Sequence, residues 1–345
     1  MYISEKMKTE SNKGIMKITT LDTHTGGDPT RIVTDGLPEI IGDTMIEKKR
    51  YLIDHYDNIR TSLMHEPRGH RDMFGAILLE PTSPTADIGV VFMDTGGYLN
   101  MCGHGTIGVV TAIIESGIVD KSGNEIELVL DTPAGLVEIK ARMKEDKVTS
   151  VSLKNVPSFS WIKDKRVTIS GIGEIHVDVS FGGSFYVFVN PRELNIDLIP
   201  ANADRLRSLG MLIKEEVNKQ IPVQHPTVED INTIDLVLFL DKSDTEGVNT
   251  RNVAVFGESN VARSACGTGL SAQMAAIYNS KLSLNETYVT ESFIGTTMRG
   301  VLVEEVKLEN KVGVIPIITG DAVVTGQHEF YIDRRDSLSR GFLLD

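Results

Sequence analysis

The chain has 345 residues, enough for two domains of ordinary size, each with its own core. A formal charge of −13 disfavours nucleic acid and anionic membranes as partners, and no apolar run reaches the length of a membrane span. With only Cys102 and Cys266 and no apolar secretory core at the N-terminus, the composition argues against a disulfide scaffold and points to the cytoplasm.

Residues 1–15 are polar and mixed in charge and read as a loose extension. A Gly26-Gly27 pair then precedes TRIV, and residues 43–66 carry apolar side chains at three- and four-residue spacing, predicting an amphipathic helix. DMFGAILLE (72–80) and DIGVVFMD (87–94) read as strands. NMCGHGTIG (100–108) leads into an apolar, small-residue helix that closes at Gly117, a natural capping glycine. EIELVLD (125–131) is a further strand, and a boundary falls near 155, around VPSFSWIKDK. The order then repeats. Gly182-Gly183 precedes SFYVFV, an amphipathic helix covers 202–221, and TIDLVLFLD (233–241) and RNVAVFG (251–257) read as strands. Cys266 follows in SACGTGLSA, opening a second buried helix over GLSAQMAAIYNSK (269–281). VGVIPIIT (312–319) and HEFYID (328–333) complete the strands, and the last is assigned back to the first half.

The duplication predicts an α+β fold of two pseudo-symmetric halves, each a curved sheet or barrel around a buried central helix that begins at a cysteine. The first half comprises 16–155 with about 325–345, the second 156–324, and the active site lies in the cleft between them.

From Gly103 to Gly108 the first motif spells G-x-G-x-x-G. A dinucleotide fingerprint would follow a strand directly, with an acidic residue closing the next strand. Here GGYLNM intervenes, Asp120 lies in a turn, and each copy stands behind a cysteine. A different chemistry fits better. A cysteine opening a helix faces unpaired backbone N–H groups at the positive end of the dipole, which favours thiolate, and those N–H groups also suit a carboxylate. Two such thiols on opposite sides of one small carboxylate ligand suit inversion of a stereocentre beside that carboxylate. One sulfur removes the α-proton, the other delivers a proton to the opposite face, and the N–H groups stabilise the developing enediolate. Three alternatives are weaker. Two core cysteines would not need matching motifs. A Cys102–His104 hydrolase would need side chains two apart on a helix to face each other. Cys-x-His with one remote cysteine fits no standard metal spacing.

NMCGHGTIG and RSACGTGLSA resemble the two catalytic motifs of the proline racemase family, which uses no pyridoxal phosphate or other cofactor. DTHTGGDPTRIV, EPRGHRDMFGA, SFGGSFYVFV, QHPTVEDI and ESFIGTTMRG fall in family order. The resemblance, which extends more distantly to the diaminopimelate epimerase fold, implies racemisation of proline, with 4-hydroxyproline 2-epimerisation as the alternative. It implies Cys102 and Cys266 as the acid–base thiols. Gly103, Gly105, Gly267 and Thr268 would hold the substrate carboxylate through backbone N–H groups, His104 would lie near the substrate amine, and Phe74 and Phe256 would wall the ring pocket. It implies no metal and a homodimer. Dehydratases of the family typically carry threonine in place of the second cysteine, so Cys266 favours racemisation. The family's aspartate and proline before that cysteine are here Ala262 and Ala265. Asp28 and Glu258 are candidate replacements for the missing carboxylate, and a non-catalytic amino-acid-binding protein is the reading from another class.

Overall fold

The computed structural model describes residues 14–229, 231–257 and 259–344. Residues 1–13 of the expected N-terminal extension, and Glu258, lie outside the described residues. Ile15 already belongs to the first strand, where it faces Asp333.

The N-terminal part of the chain forms β1 (Ile15–Thr25), β2 (Asp28–Asp35), α1 (Met45–Met64), β3 (Phe74–Leu79), β4 (Ile88–Asp94), β5 (Tyr98–Leu99), α2 (Gly103–Glu115), β6 (Glu125–Thr132), β7 (Gly135–Lys144) and β8 (Lys147–Lys154). The remainder forms β9 (Phe159–Ile169), β10 (Gly173–Phe181), β11 (Phe185–Val189), α3 (Ala203–Gln220), β12 (Ile234–Lys242), β13 (Thr250–Phe256), β14 (Asn260–Val261), α4 (Gly267–Ile277), β15 (Thr287–Ser292), β16 (Thr297–Leu308), β17 (Lys311–Gly320) and β18 (Ala322–Asp333).

Strand pairing repeats in the same order. One run is β18, β1, β2, β3, β4, β6, β7, β8; the other is β9, β10, β11, β12, β13, β15, β16, β17. Each run contains two parallel contacts, β2 with β3 and β4 with β6, matched by β11 with β12 and β13 with β15. A parallel contact needs a crossover, and each crossover carries a helix. The first crossover helix of each run, α1 or α3, packs on the outer face; the second, α2 or α4, is enclosed.

The strands in the middle of each run explain why. In β12, Val237 and Phe239 face α3, whereas Leu238 faces the α4 side with Tyr186 and Ala254. In β4, Val91 and Met93 meet α1, whereas Val90 and Phe92 meet α2. Strands apolar on both faces must be covered on both faces. By contrast β7 alternates buried and exposed residues and keeps one face in water. Eleven of the thirteen residues of α2 and nine of the eleven of α4 are buried, so these two are the central helices.

Two features depart from the sequence reading. The sheets are not separate: β8 pairs antiparallel with β17, from Val151 opposite Gly320 to Lys154 opposite Ile317, giving one continuous 18-stranded sheet. Two open sheet edges would otherwise leave unpaired backbone groups, and the seam satisfies both. The cores merge there as well, with Ile107 and Val110 of α2 in one cluster with Leu270 and Met274 of α4 and with Met298 and Ile318. Helix α4 is also shorter than its apolar pattern, stopping at Ile277 rather than Lys281. Tyr278 is extended and Asn279 adopts a left-handed conformation, φ +60°, so the chain turns away there.

Candidate active site

Both cysteines occupy the cap position in front of a central helix. Cys102 is extended, φ −150° and ψ 130°, and precedes Gly103 of α2. Cys266 precedes Gly267 of α4 at φ 51° and ψ 92°, a costly conformation for a residue with a Cβ. The first intrahelical bonds run from Thr106 N–H to the Cys102 carbonyl and from Leu270 N–H to the Cys266 carbonyl. The N–H groups of the residues between therefore have no helical acceptor. The two helix starts abut, since a Cβ on Gly103 would stand 3.9 Å from Gly267 Cα and 3.9 Å from the Thr268 nitrogen. Two sets of first-turn donors thus converge in one place.

Not every motif glycine serves approach by a ligand. A Cβ at Gly105 would sit 2.7 Å from Phe74 and 2.9 Å from Phe92, so those rings occupy its side-chain space. At Gly269 a Cβ would lie 3.0 Å from the Cys266 sulfur, which folds back over its own helix. The second Gly-Gly turn also presses on this helix: a Cβ at Gly182 would come within 2.3 Å of the Thr268 carbonyl oxygen.

The Cys102 sulfur lies 3.2 Å from His104 Nδ1. The sequence argument that these side chains could not meet is therefore corrected. The spacing rule holds for two residues inside a helix, whereas Cys102 stands outside it and folds forward over the first turn. Phe74 packs on the imidazole with ring centroids 4.4 Å apart. The Thr25 hydroxyl donates to the His104 carbonyl at 2.9 Å. Burial works against charge on this imidazole. The adjacent Cys102 sulfur, its hydrogen bond and the Asp28 carboxylate outweigh that and push it up to about 9. His104 Nε2 is buried and has no hydrogen-bond partner among the described residues.

Cys266 has different surroundings. Its sulfur is 3.4 Å from the Tyr186 hydroxyl, which in turn is 2.6 Å from the Thr268 hydroxyl. Burial pushes this thiol up to about 11; the Tyr186 hydroxyl and the Gly269 N–H oppose the shift, while Cys102 and Asp28 add to it. The expectation that the helix terminus would depress both thiols thus fails at Cys266, where desolvation dominates. Phe256 and Cys266 pack on one apolar cluster with Ala262, Ala254 and Tyr186. The methyl group of Ala262 is thus part of an apolar cluster beside Cys266.

Asp28 is buried, and its two oxygens accept the backbone N–H groups of Arg263 at 2.7 Å and Ser264 at 2.9 Å. A carboxylate from the N-terminal half thereby positions the segment that delivers Cys266, and its charge reaches both His104 and Cys266. Asp72 does the same from a second point. It bonds Arg207 at 3.1 Å, Arg263 at 2.8 Å and the Val261 N–H at 3.2 Å. Burial alone would raise this carboxyl, but Arg207 and Arg263 hold it at about 2. Because that value lies below the unfolded one, the stabilisation is complete above pH ~4 and is lost as pH falls towards 2. Asp72→Asn should cost about 3 kcal/mol at pH 7, read from urea unfolding, by leaving, among the described residues, Arg207 with only the exposed carboxylate of Asp204, at 3.8 Å, as an acidic partner and Arg263 with the Val261 carbonyl. The same comparison below pH ~3 should show a smaller difference.

The structure thus brings Cys102, Gly103, His104, Gly105, Gly267, Thr268, Cys266 and Phe74 around two facing helix starts, with Phe256 on the adjoining apolar cluster. Sequence reasoning missed Tyr186, Asp72 and Arg207. Tyr186 had a usable signal: a tyrosine within an otherwise apolar SFYVFV run must find a partner for a buried hydroxyl. Among the described residues, no group of three His, Cys, Asp or Glu side chains is placed to hold a metal ion. No helix there is long and apolar enough to cross a membrane.

Known proteins place this geometry in context. The chain is 44% identical over 333 residues to a proline racemase of Acetoanaerobium sticklandii, covering 96% of this chain and 98% of that protein. It is 39% identical to a trans-3-hydroxy-L-proline dehydratase of Bacillus thuringiensis subsp. konkukian, covering 94% of this chain and 98% of that protein. A crystal structure of a hydroxyproline epimerase from Agrobacterium vitis, with bound trans-4-hydroxy-L-proline, superposes with a TM-score of 0.86 at 32% identity, covering 95% and 96% of the two chains. The proline racemase family pattern itself matches residues 20–343, and the chain belongs to that family.

Proposed function

We propose that the protein is a cofactor-independent amino-acid isomerase that racemises proline with Cys102 and Cys266 as its acid–base pair. The carrying observation is the meeting of two cysteine-capped helix starts, which offers two sulfurs and two sets of free N–H donors to one small carboxylate. The substrate carboxylate would rest on the N–H groups of Gly103, Gly105, Gly267 and Thr268. One thiolate takes the α-proton, the opposite thiol returns a proton to the other face, and the same N–H groups stabilise the enediolate. His104, charged at neutral pH and paired with Cys102, supports Cys102 as the resting base, while the burial of Cys266 supports it as the resting acid. Asp28 supplies the negative charge that Ala262 does not.

Phe74 on the Cys102 side, against His104, and Phe256 and Ala262 on the Cys266 side support proline over a hydroxylated ring, because a buried unpaired hydroxyl is costly. The bound hydroxyproline of the Agrobacterium vitis epimerase keeps 4-hydroxyproline 2-epimerisation as the second reading. The second thiol supports either over dehydration. The duplicated strand order supports two structural halves, 16–155 with about 325–345, and 156–324. A cytoplasmic location suits two catalytic thiols that must stay reduced, and a homodimer is what the family suggests.

Proton NMR in D₂O with reduced protein tests the reading. Loss of the L-proline Cα–H signal, with D-proline appearing by chiral chromatography, is the expected result. Exchange with trans-4-hydroxy-L-proline alone would move the assignment to the epimerase, and no exchange with either would remove both.

A further inference from the structure

The site is asymmetric in a way that its repeated sequence conceals. Aligning the cysteines places His104 opposite Thr268, so the two sulfurs have unlike neighbours. Cys102 meets an imidazole, and Cys266 meets a phenol. That phenol, Tyr186, is 1% exposed and comes from β11, a strand whose other inward residues are apolar. Its hydroxyl has two polar neighbours, the Cys266 sulfur at 3.4 Å and the Thr268 hydroxyl at 2.6 Å.

Hydroxyl groups each carry one proton and can also accept. The chain from Cys266 through Tyr186 to Thr268 can therefore run in either of two directions. When Cys266 is a thiol, its S–H donates to the Tyr186 oxygen and Tyr186 donates to Thr268. When Cys266 is a thiolate, Tyr186 turns its proton to the sulfur and the Thr268 hydroxyl donates to Tyr186. No proton leaves the phenol in either state, since burial and the neighbouring Cys266 push its ionisation well above the usual tyrosine range.

We infer that Tyr186 is a positioning residue for Cys266, a rotating donor that holds the sulfur in place and stabilises its thiolate form each time that thiol has given up its proton. This rests on the proposal that Cys266 is one of the two acid–base thiols. It answers a difficulty in that proposal: a buried sulfur that returns a proton must next exist as an anion where desolvation disfavours it. A hydrogen bond to a charged acceptor is stronger than one to a neutral acceptor, so the phenol favours the anion selectively.

The test reads the thiol directly, apart from turnover. In a Cys102→Ala background, the rate of Cys266 alkylation by iodoacetamide is followed against pH by mass spectrometry. Adding Tyr186→Phe keeps the ring and removes the donor. The expected result is an upward move of the alkylation midpoint by about one pH unit, with alkylation near neutral pH slowed by about tenfold. In a Cys266→Ala background the same substitution should leave the Cys102 midpoint in place. An unmoved Cys266 midpoint, or equal movement at both cysteines, overturns the inference. Should Tyr186→Phe not fold, 3-fluorotyrosine at position 186 provides the second measurement. It is a stronger donor of nearly the same size and should move the midpoint down; no movement, or movement upward, overturns the inference. A midpoint that moves as expected in a protein that racemises nothing would sink the functional proposal and leave the role of Tyr186 standing.

Discussion

Serine at position 102 or at position 266 should abolish racemisation, lowering kcat by at least about 10³-fold in both directions. Each direction of a two-thiol reaction uses both sulfurs, one as base and one as acid, so neither enantiomer is spared by leaving one cysteine intact. A serine hydroxyl is far too weak an acid to be ionised where a thiol is. Polarimetry on L- and D-proline measures the loss. Proton exchange in D₂O adds a finer readout, because the remaining thiol can still reach the α-proton of one enantiomer. Each variant should therefore retain exchange with one enantiomer only, and the two variants should retain opposite ones. Racemisation persisting above about a tenth of the wild-type rate in either variant would contradict the mechanism.

Replacing His104 with asparagine should lower kcat/KM for proline by about 10²-fold and remove the alkaline limb of its pH profile. The imidazole is held up to about 9 by the Cys102 sulfur and Asp28, against the effect of burial. Below that value it is a cation beside Cys102; as pH rises through about 9 the proton leaves and the sulfur loses its partner. Wild-type activity should fall over that interval, and the variant should be flat there. Stability has the same sign. A group whose ionisation is raised by folding contributes in full below its unfolded value near 6.5, and that contribution disappears as pH rises through about 9. Thermal unfolding of the two proteins at pH 6 and pH 10 should show the larger difference at pH 6.

Much of this architecture is legible in the chain because duplication doubles each signal. A lone cysteine before Gly-x-Gly is ambiguous; Cys102 and Cys266, each followed by an apolar helix and preceded by Gly-Gly and an amphipathic helix, are not. Runs such as IDLVLFL disclose strands covered on both faces. What escaped the reading depends on contacts remote in sequence. The β8–β17 seam joins Lys154 to Ile317, and no local pattern marks which edges will meet. The burial that raises the Cys266 thiol is contributed by surrounding elements, so the helix terminus alone gave the wrong sign there. At Cys102 the error was local: the cap lies outside the helix, where the spacing rule for helical side chains does not apply. Asp72 stood in a recognised stretch, EPRGHRDMFGA, yet its arginine partners come from α3 and from the segment before α4.

β18 lies beside β1 along its whole length, from Ile15 opposite Asp333 to Thr25 opposite Ala322, and it also covers α2. During synthesis the sheet around α2 therefore waits for β18, which follows every strand of the other run, to leave the ribosome. The strands from β9 to β17 are contiguous in the chain and can assemble around α4 beforehand. Such a pairing has extreme contact order, which slows folding and prolongs exposure of apolar surface. The run of strands around α2 thus begins first and closes last, and Ile107, Val110 and their neighbours stay open to aggregation until β18 arrives.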